Sequence, residues 1–159
     1  TPEEAKNTLY NMLHAQAVTA VEAYLSGMFI HTVINSEELI RKLIESNPEL
    51  AKQKFSLKEI FTKWGELKII VAKYLKDLIF HDLKTVKPMY KSVLGIEFGD
   101  IEWLFKAVLT RHDCVHRNGT DKDGLPANIT EASIMELIRK STNFIGSIEE
   151  QINNRSFIV

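Results

Sequence analysis

The chain has 159 residues, 45% of them hydrophobic and 26% charged, a balance that fits one soluble globular domain and excludes a disordered or fibrous chain. Twenty Lys plus Arg against 21 Asp plus Glu leave a formal net charge of −1, so no global positive field gathers nucleic acid and any anion site has to be local. Cys114 is the only cysteine, which excludes an intramolecular disulfide framework and makes a reducing, cytoplasmic compartment the expectation.

Helical periodicity runs through nearly the whole chain, and no stretch alternates apolar and polar residues as a strand does, so the expected fold class is all-α. Pro2 with Glu3 and Glu4 starts a long first helix reaching about Ile34, with Leu9, Leu13, Ala17, Ala20, Tyr24 and Met28 as its apolar stripe. Ser36 opens a second helix carrying Leu39, Ile40, Leu43 and Ile44, which Asn47-Pro48 terminates. Ser56 to Glu59 has capping-box spacing and begins a third segment, after which Gly65 breaks or bends the path into Leu67 to Phe80. Lys87-Pro88 starts a short helix ending near Gly95, and Asp100 caps a helix from Ile101 to about His116. Gly119 to Asn128 reads as an exposed loop. Thr130 then caps a last helix with Ile134, Leu137, Ile138, Phe144, Ile145 and Ile148 on its apolar stripe. Trp64, Trp103, Phe105, Phe80 and Phe144 are expected in the core.

No apolar run reaches the roughly 18 uninterrupted residues of a membrane span and no leader segment is visible, so no membrane is expected. The start at Thr1 rather than Met points to a processed or excised chain. Asn118-Gly119-Thr120, Asn128-Ile129-Thr130 and Asn154-Arg155-Ser156 match glycosylation triplets, which arise often by chance and carry no weight. Lys84 to Lys91 interleaves bases with Tyr90, and a solvated helix start explains it better than contact with RNA.

Chemistry concentrates in Arg111-His112-Asp113-Cys114-Val115-His116-Arg117-Asn118-Gly119, which holds two of the chain's five histidines. Residues four apart on a helix are neighbours, so His112 and His116 share a face, whereas Arg111 lies beside Val115 and angularly far from His116. His116 falls in the last turn, where unpaired carbonyls favour an imidazolium and Arg111 opposes it. Zinc is disfavoured: the ligand set is thin, and Arg111 and Arg117 repel a cation. A Cys114–His116 nucleophilic pair is disfavoured because the two face different ways, and a small buried thiol accounts for Cys114. Metal-independent phosphoryl chemistry uses every polar residue present, with histidine moving protons and arginine holding phosphate charge.

Arg111-His112-(Asp113-Cys114-Val115)-His116 resembles the Arg-polar-three residues-His motif of HEPN domains, and the flanking residues look most like the RiboL-PSP subgroup. The residue-level likeness covers about Asp100 through Gly124. It implies a single HEPN-like domain over residues 1–159, an antiparallel helical bundle with a long first helix and additional short helices. It also implies a metal-independent endoribonuclease, without cofactor, in a toxin–antitoxin or antiviral setting. By resemblance Arg111 and His116 are the catalytic pair, with His112 beside them. Asp113, Arg117 and Asn118 are assigned to substrate binding, and Lys106 and Lys122 to local positive potential. The resemblance implies RNA as substrate and a regulatory or antitoxin partner; because one His116 cannot easily serve both sides of an in-line displacement, a second copy forming a composite site is also expected.

Each residue also has a plain structural reading: an ion pair to Asp113 or Glu131 for Arg111, a surface position for His112 and a helix C-cap for His116. The rival function is accordingly a non-catalytic helical dimerisation or interaction module from a larger protein.

Overall fold

The structure is a computed structural model that describes residues 1–78, 80 and 82–155. Among these residues every regular element is helical, and the sole β feature is one antiparallel bridge between Thr120 and Pro126. The all-α expectation and the long first helix both hold.

Helix α1 spans Pro2–Ile34, its first turn capped by Thr1 Oγ1, which accepts from the Glu4 N–H at 3.3 Å. Its buried face is His14, Val18, Val21, Leu25, Phe29 and Val33, one residue on from the expected stripe. Leu9 and Leu13 are exposed instead. The helix is apolar on more than one side, so periodicity alone does not select the face that neighbours cover. By length and composition α1 is also apolar enough to cross a membrane, although Glu22 interrupts the apolar run. A core helix passes the same test.

Asn35 ends α1 by donating from Nδ2 to the His31 carbonyl at 2.8 Å, and Ser36 Oγ caps α2, Glu37–Ser46, by accepting from Leu39 N–H at 3.3 Å. Asn47 stops α2 as expected and also starts an unexpected turn, α3, Pro48–Ala51. Its Oδ1 accepts from Glu49 and Leu50 N–H at 3.0 and 3.1 Å, because proline disfavours the preceding helix yet suits the first position of the next. The Ser56–Glu59 box closes on one side, Ser56 N–H donating to Glu59 Oε2 at 3.3 Å, and the helix proper, α4, begins later, at Ile60–Gly65. The path breaks at Glu66 before α5, Leu67–Asp77. The expected continuation to Phe80 crosses Ile79, outside the described residues, as are His81 and the Ser156 of the third glycosylation triplet. Trp64 is 65% exposed, a correction to its core assignment that follows from the shortness of α4, which buries no residue.

Helix α6, Leu83–Met89, starts four residues earlier than expected, because Leu83 and Val86 are buried and Pro88 sits inside rather than at the start. Pro88 has no N–H for the Lys84 carbonyl, and directly afterwards the helix widens into a π turn over Tyr90–Leu94 that closes on Gly95 at φ 66°. Asp100 caps α7, Glu102–His116, through Oδ1 to the Glu102 N–H at 3.0 Å. At α8, Glu131–Arg155, Thr130 and Ser133 cap each other reciprocally, at 2.9 and 3.1 Å. Ile138 departs from its expected stripe, being 47% exposed.

Two compact units are distinguished. In the first, Thr1–Tyr24 with Phe98–Glu149, Val18, Ala107 and Leu137 form a cluster flanked by Ala17, Trp103 and Val108. Phe144 meets Phe98 and Trp103 edge-on, with centroids at 5.0 and 6.0 Å. In the second, the described residues of 25–97 and 150–155, Phe29 packs on Tyr90 and Phe80, and the Tyr90 hydroxyl donates to the Leu25 carbonyl at 2.6 Å. Arg155 there donates from Nη2 to the Gly95 carbonyl at 2.7 Å.

Tyr24 in the first unit donates to Glu149 Oε1 at 2.6 Å. Burial first, then that bond and the carboxylate charge, push its phenol above the ordinary tyrosine range. The fold thus favours the neutral phenol: its contribution is complete below the unfolded value near pH 10 and is lost as pH rises further. Tyr24→Phe is expected to cost about 1–2 kcal/mol at neutral pH in urea unfolding. The gap between variant and wild type should narrow above about pH 10; a gap constant to high pH would contradict this account.

Candidate functional site

The motif occupies the last turns of α7 and the three residues, Arg117 to Gly119, that close it. The helix stays regular through His116, and the Asp113 carbonyl accepts from both Arg117 and Gly119 N–H at 2.9 and 3.0 Å. Asn118 takes the left-handed conformation at φ 50°, followed by Gly119 at φ 83°. Asparagine tolerates that region better than most residues, so the chain turns sharply here without a glycine at the first position.

His112 and His116 stand together on the exposed face, ring centroids 4.6 Å apart and tilted by 47°. Their side chains are in solvent, free to meet a ligand. Arg111 points elsewhere: its Nη1 donates to Glu22 Oε2 on α1 at 3.1 Å, with the two side chains only 19% and 15% exposed. The ordinary ion pair foreseen for Arg111 thus exists, with Glu22 in place of Asp113 or Glu131. Within one chain the structure brings the two histidines together and leaves Arg111 on a different side of α7, since a regular helix separates positions five apart by about 140°.

Asp113 and Arg117 pair with each other at 3.1 Å, one turn apart, with Arg117 42% exposed. Asp113 is the more buried member at 19% exposed, and the exposed guanidinium, held to it through Nη1, has further N–H groups to donate to an incoming phosphate. Lys106 is exposed and lies 3.4 Å from Glu102, while Lys122 stands exposed in the loop. Cys114 is half-buried, and burial, then the Asp113 charge, raises its thiol above the ordinary value, which suits packing and not a thiolate nucleophile. Among the described residues no three His, Cys, Asp or Glu side chains gather as metal ligands.

Two concavities adjoin the motif within the first unit. A cleft of about 550 Å³ is lined by Lys6, Asn7, Tyr10 and Asn11 of α1, by Asn118–Thr120, and by residues from Pro126 to Ala132. A smaller one of about 330 Å³ takes Asp113, Lys106 and Thr110 from α7, with His14, Glu136 and Lys140. His14 is 7% exposed and its Nε2 sits 3.0 Å from the Ala107 carbonyl, so that nitrogen carries the proton in the neutral ring. Sequence reasoning missed Glu22, His14, Tyr10 and Asn11. Glu22 alone left a signal, as a single carboxylate within an apolar stretch; the others become site residues only when α1 packs beside the end of α7.

Gly119 fixes that packing. A Cβ there would collide with the Asn11 carboxamide, and its φ of 83° is strained for any side chain. Gly119→Ala is expected to cost more than Gly124→Ala, which has a similar φ of 80° but open space. The second substitution should carry the backbone strain alone, about 1–2 kcal/mol, and thermal unfolding of both variants separates the two contributions. Equal losses would remove the close approach as a factor. Searches of protein-family models, of curated proteins and of solved structures each find no match to this chain.

Proposed function

We propose that the chain is a metal-independent endoribonuclease of HEPN type, an antiparallel bundle whose working unit is a dimer. The observation that carries this reading is the exposed His112–His116 pair at 4.6 Å, beside the exposed guanidinium of Arg117. In the proposed step His116 takes the proton of a ribose 2′-hydroxyl as its oxygen bonds the adjacent phosphorus. The bond to the 5′-oxygen breaks, and a protonated histidine on the far side supplies that oxygen's proton. The products are a 2′,3′-cyclic phosphate and a 5′-hydroxyl end, and DNA, lacking the hydroxyl, is not cut. His112 lies on the same side as His116, so the far-side proton donor comes from a second copy. The exposed Leu109 and Val115, 69% and 59% accessible on α7 around the histidines, are the apolar surface such a copy would cover.

The test is incubation of the purified chain with mixed RNA in excess chelator, with end-group analysis. Cleavage that survives chelator, yields cyclic phosphate ends and disappears in His116→Ala supports the reading; activity that chelator removes sinks it. The engagement of Arg111 by Glu22 at 3.1 Å favours a second reading, a non-catalytic helical dimerisation module, which predicts no cleavage of any RNA and a dimer unaffected by His116→Ala.

A further inference from the structure

Beside the motif lies a cleft whose lining, apart from Asn118 and Gly119 of the motif itself, has no part in the reading above. Its α1 wall is Lys6, Asn7, Tyr10 and Asn11, one face of the first turns by their spacing. Its other walls bring Asn118 and Asn128. Among the described residues none of these four carboxamides is held by a hydrogen bond within the protein, unlike Asn35 and Asn47, which close helix ends. Each therefore offers both a donor and an acceptor to a ligand. Tyr10 is half-buried with the Lys6 ammonium 5.6 Å from its ring centroid, and the Asn11 carboxamide is seated against Gly119, which has no Cβ to displace it. Lys6 is balanced by Glu3 and Glu131 in the same lining, so the cleft has no positive excess to attract a phosphate.

Paired donors and acceptors around one aromatic ring, without an excess of positive charge, suit a flat neutral heterocycle. We infer that this cleft is a subsite for a nucleobase of single-stranded RNA, stacked on Tyr10 and read at its edge by the carboxamides. The inference rests on the ribonuclease reading for its placement: Asn118 follows His116 by two residues, at most about 7 Å between Cα atoms. A base held here belongs to the nucleotide next to the phosphate that His116 serves.

The experiment is a titration of the full ¹⁵N-labelled chain with adenosine, guanosine, cytidine and uridine, all uncharged, and separately with ribose 5-phosphate. Saturable shifts of the Asn7, Asn11, Asn118 and Asn128 side-chain amides with at least one nucleoside are expected. Tyr10→Leu should weaken binding by about ten-fold or more. Asn7→Ala, at an exposed position that does not endanger folding, should weaken it by a smaller factor. No shift up to the solubility limit, or the same affinity in both variants, overturns the inference, as does saturation by ribose 5-phosphate alone. Nucleoside binding requires no cleavage, so the two readings fail separately. Binding without RNA cleavage leaves the nucleobase subsite standing and sinks the ribonuclease; cleavage without nucleoside binding does the reverse.

Discussion

Arg111→Ala is expected to lower unfolding free energy by about 2–4 kcal/mol. Arg111 and Glu22 lie 3.1 Å apart with side chains 19% and 15% exposed, and breaking a largely buried pair from one side costs more than its net worth because the remaining charge loses part of its compensation. Glu22 follows the buried Val21 and lies one turn after the buried Val18 on α1, and at 15% exposed its carboxylate has little water to fall back on. The double variant Arg111→Met with Glu22→Leu is expected to recover most of the loss, because two apolar side chains of similar volume avoid the desolvation penalty altogether. Urea unfolding of the wild type and the two variants checks this, and a double variant no better than Arg111→Ala would contradict it. The same refolded double variant separates two roles for Arg111. If the guanidinium also meets the phosphate, RNA cleavage stays lost when stability returns; if Arg111 only ties α7 to α1, cleavage returns with it.

That pair also marks where sequence reading stops. The helices were legible because capping residues and apolar spacing are local: Ser36, Asn47, Asp100 and Thr130 each act within three residues of where they stand. The proximity of His112 and His116 was legible for the same reason, being one helical turn. What failed depends on contacts distant in sequence. The buried stripe of α1 was displaced by one residue because several of its faces are apolar, and only the packed neighbours decide which is covered. The exposed Trp64 and the early start of α6 at Leu83 likewise follow from which side chains find cover. Glu22 and Tyr10 joined the site from positions 89 and more than 100 residues before the motif in the chain, a relation that no spacing rule contains.

His116→Ala is expected to reduce RNA cleavage by about 10²–10⁴-fold, the usual range for removing a general acid or base, while leaving stability nearly unchanged because the side chain is exposed. His112→Ala should cost less, since its ring supports His116 from 4.6 Å but lies on the same side of the phosphate. The proposed composite site adds a sharper requirement. An in-line displacement needs one proton taken on the side of the attacking hydroxyl and one given on the side of the leaving oxygen, and the histidines of a single α7 occupy one side only. If each chemical event uses His116 from both copies, chains exchanged at random between wild type and His116→Ala are active only in wild-type pairs. Activity should then follow the square of the wild-type fraction, about one quarter at equal mixing. A protomer that works alone gives one half instead. Measuring cleavage across such mixtures, after subunit exchange has come to equilibrium, decides between a site shared by two α7 helices and one that Arg117, His112 and His116 complete within a single chain.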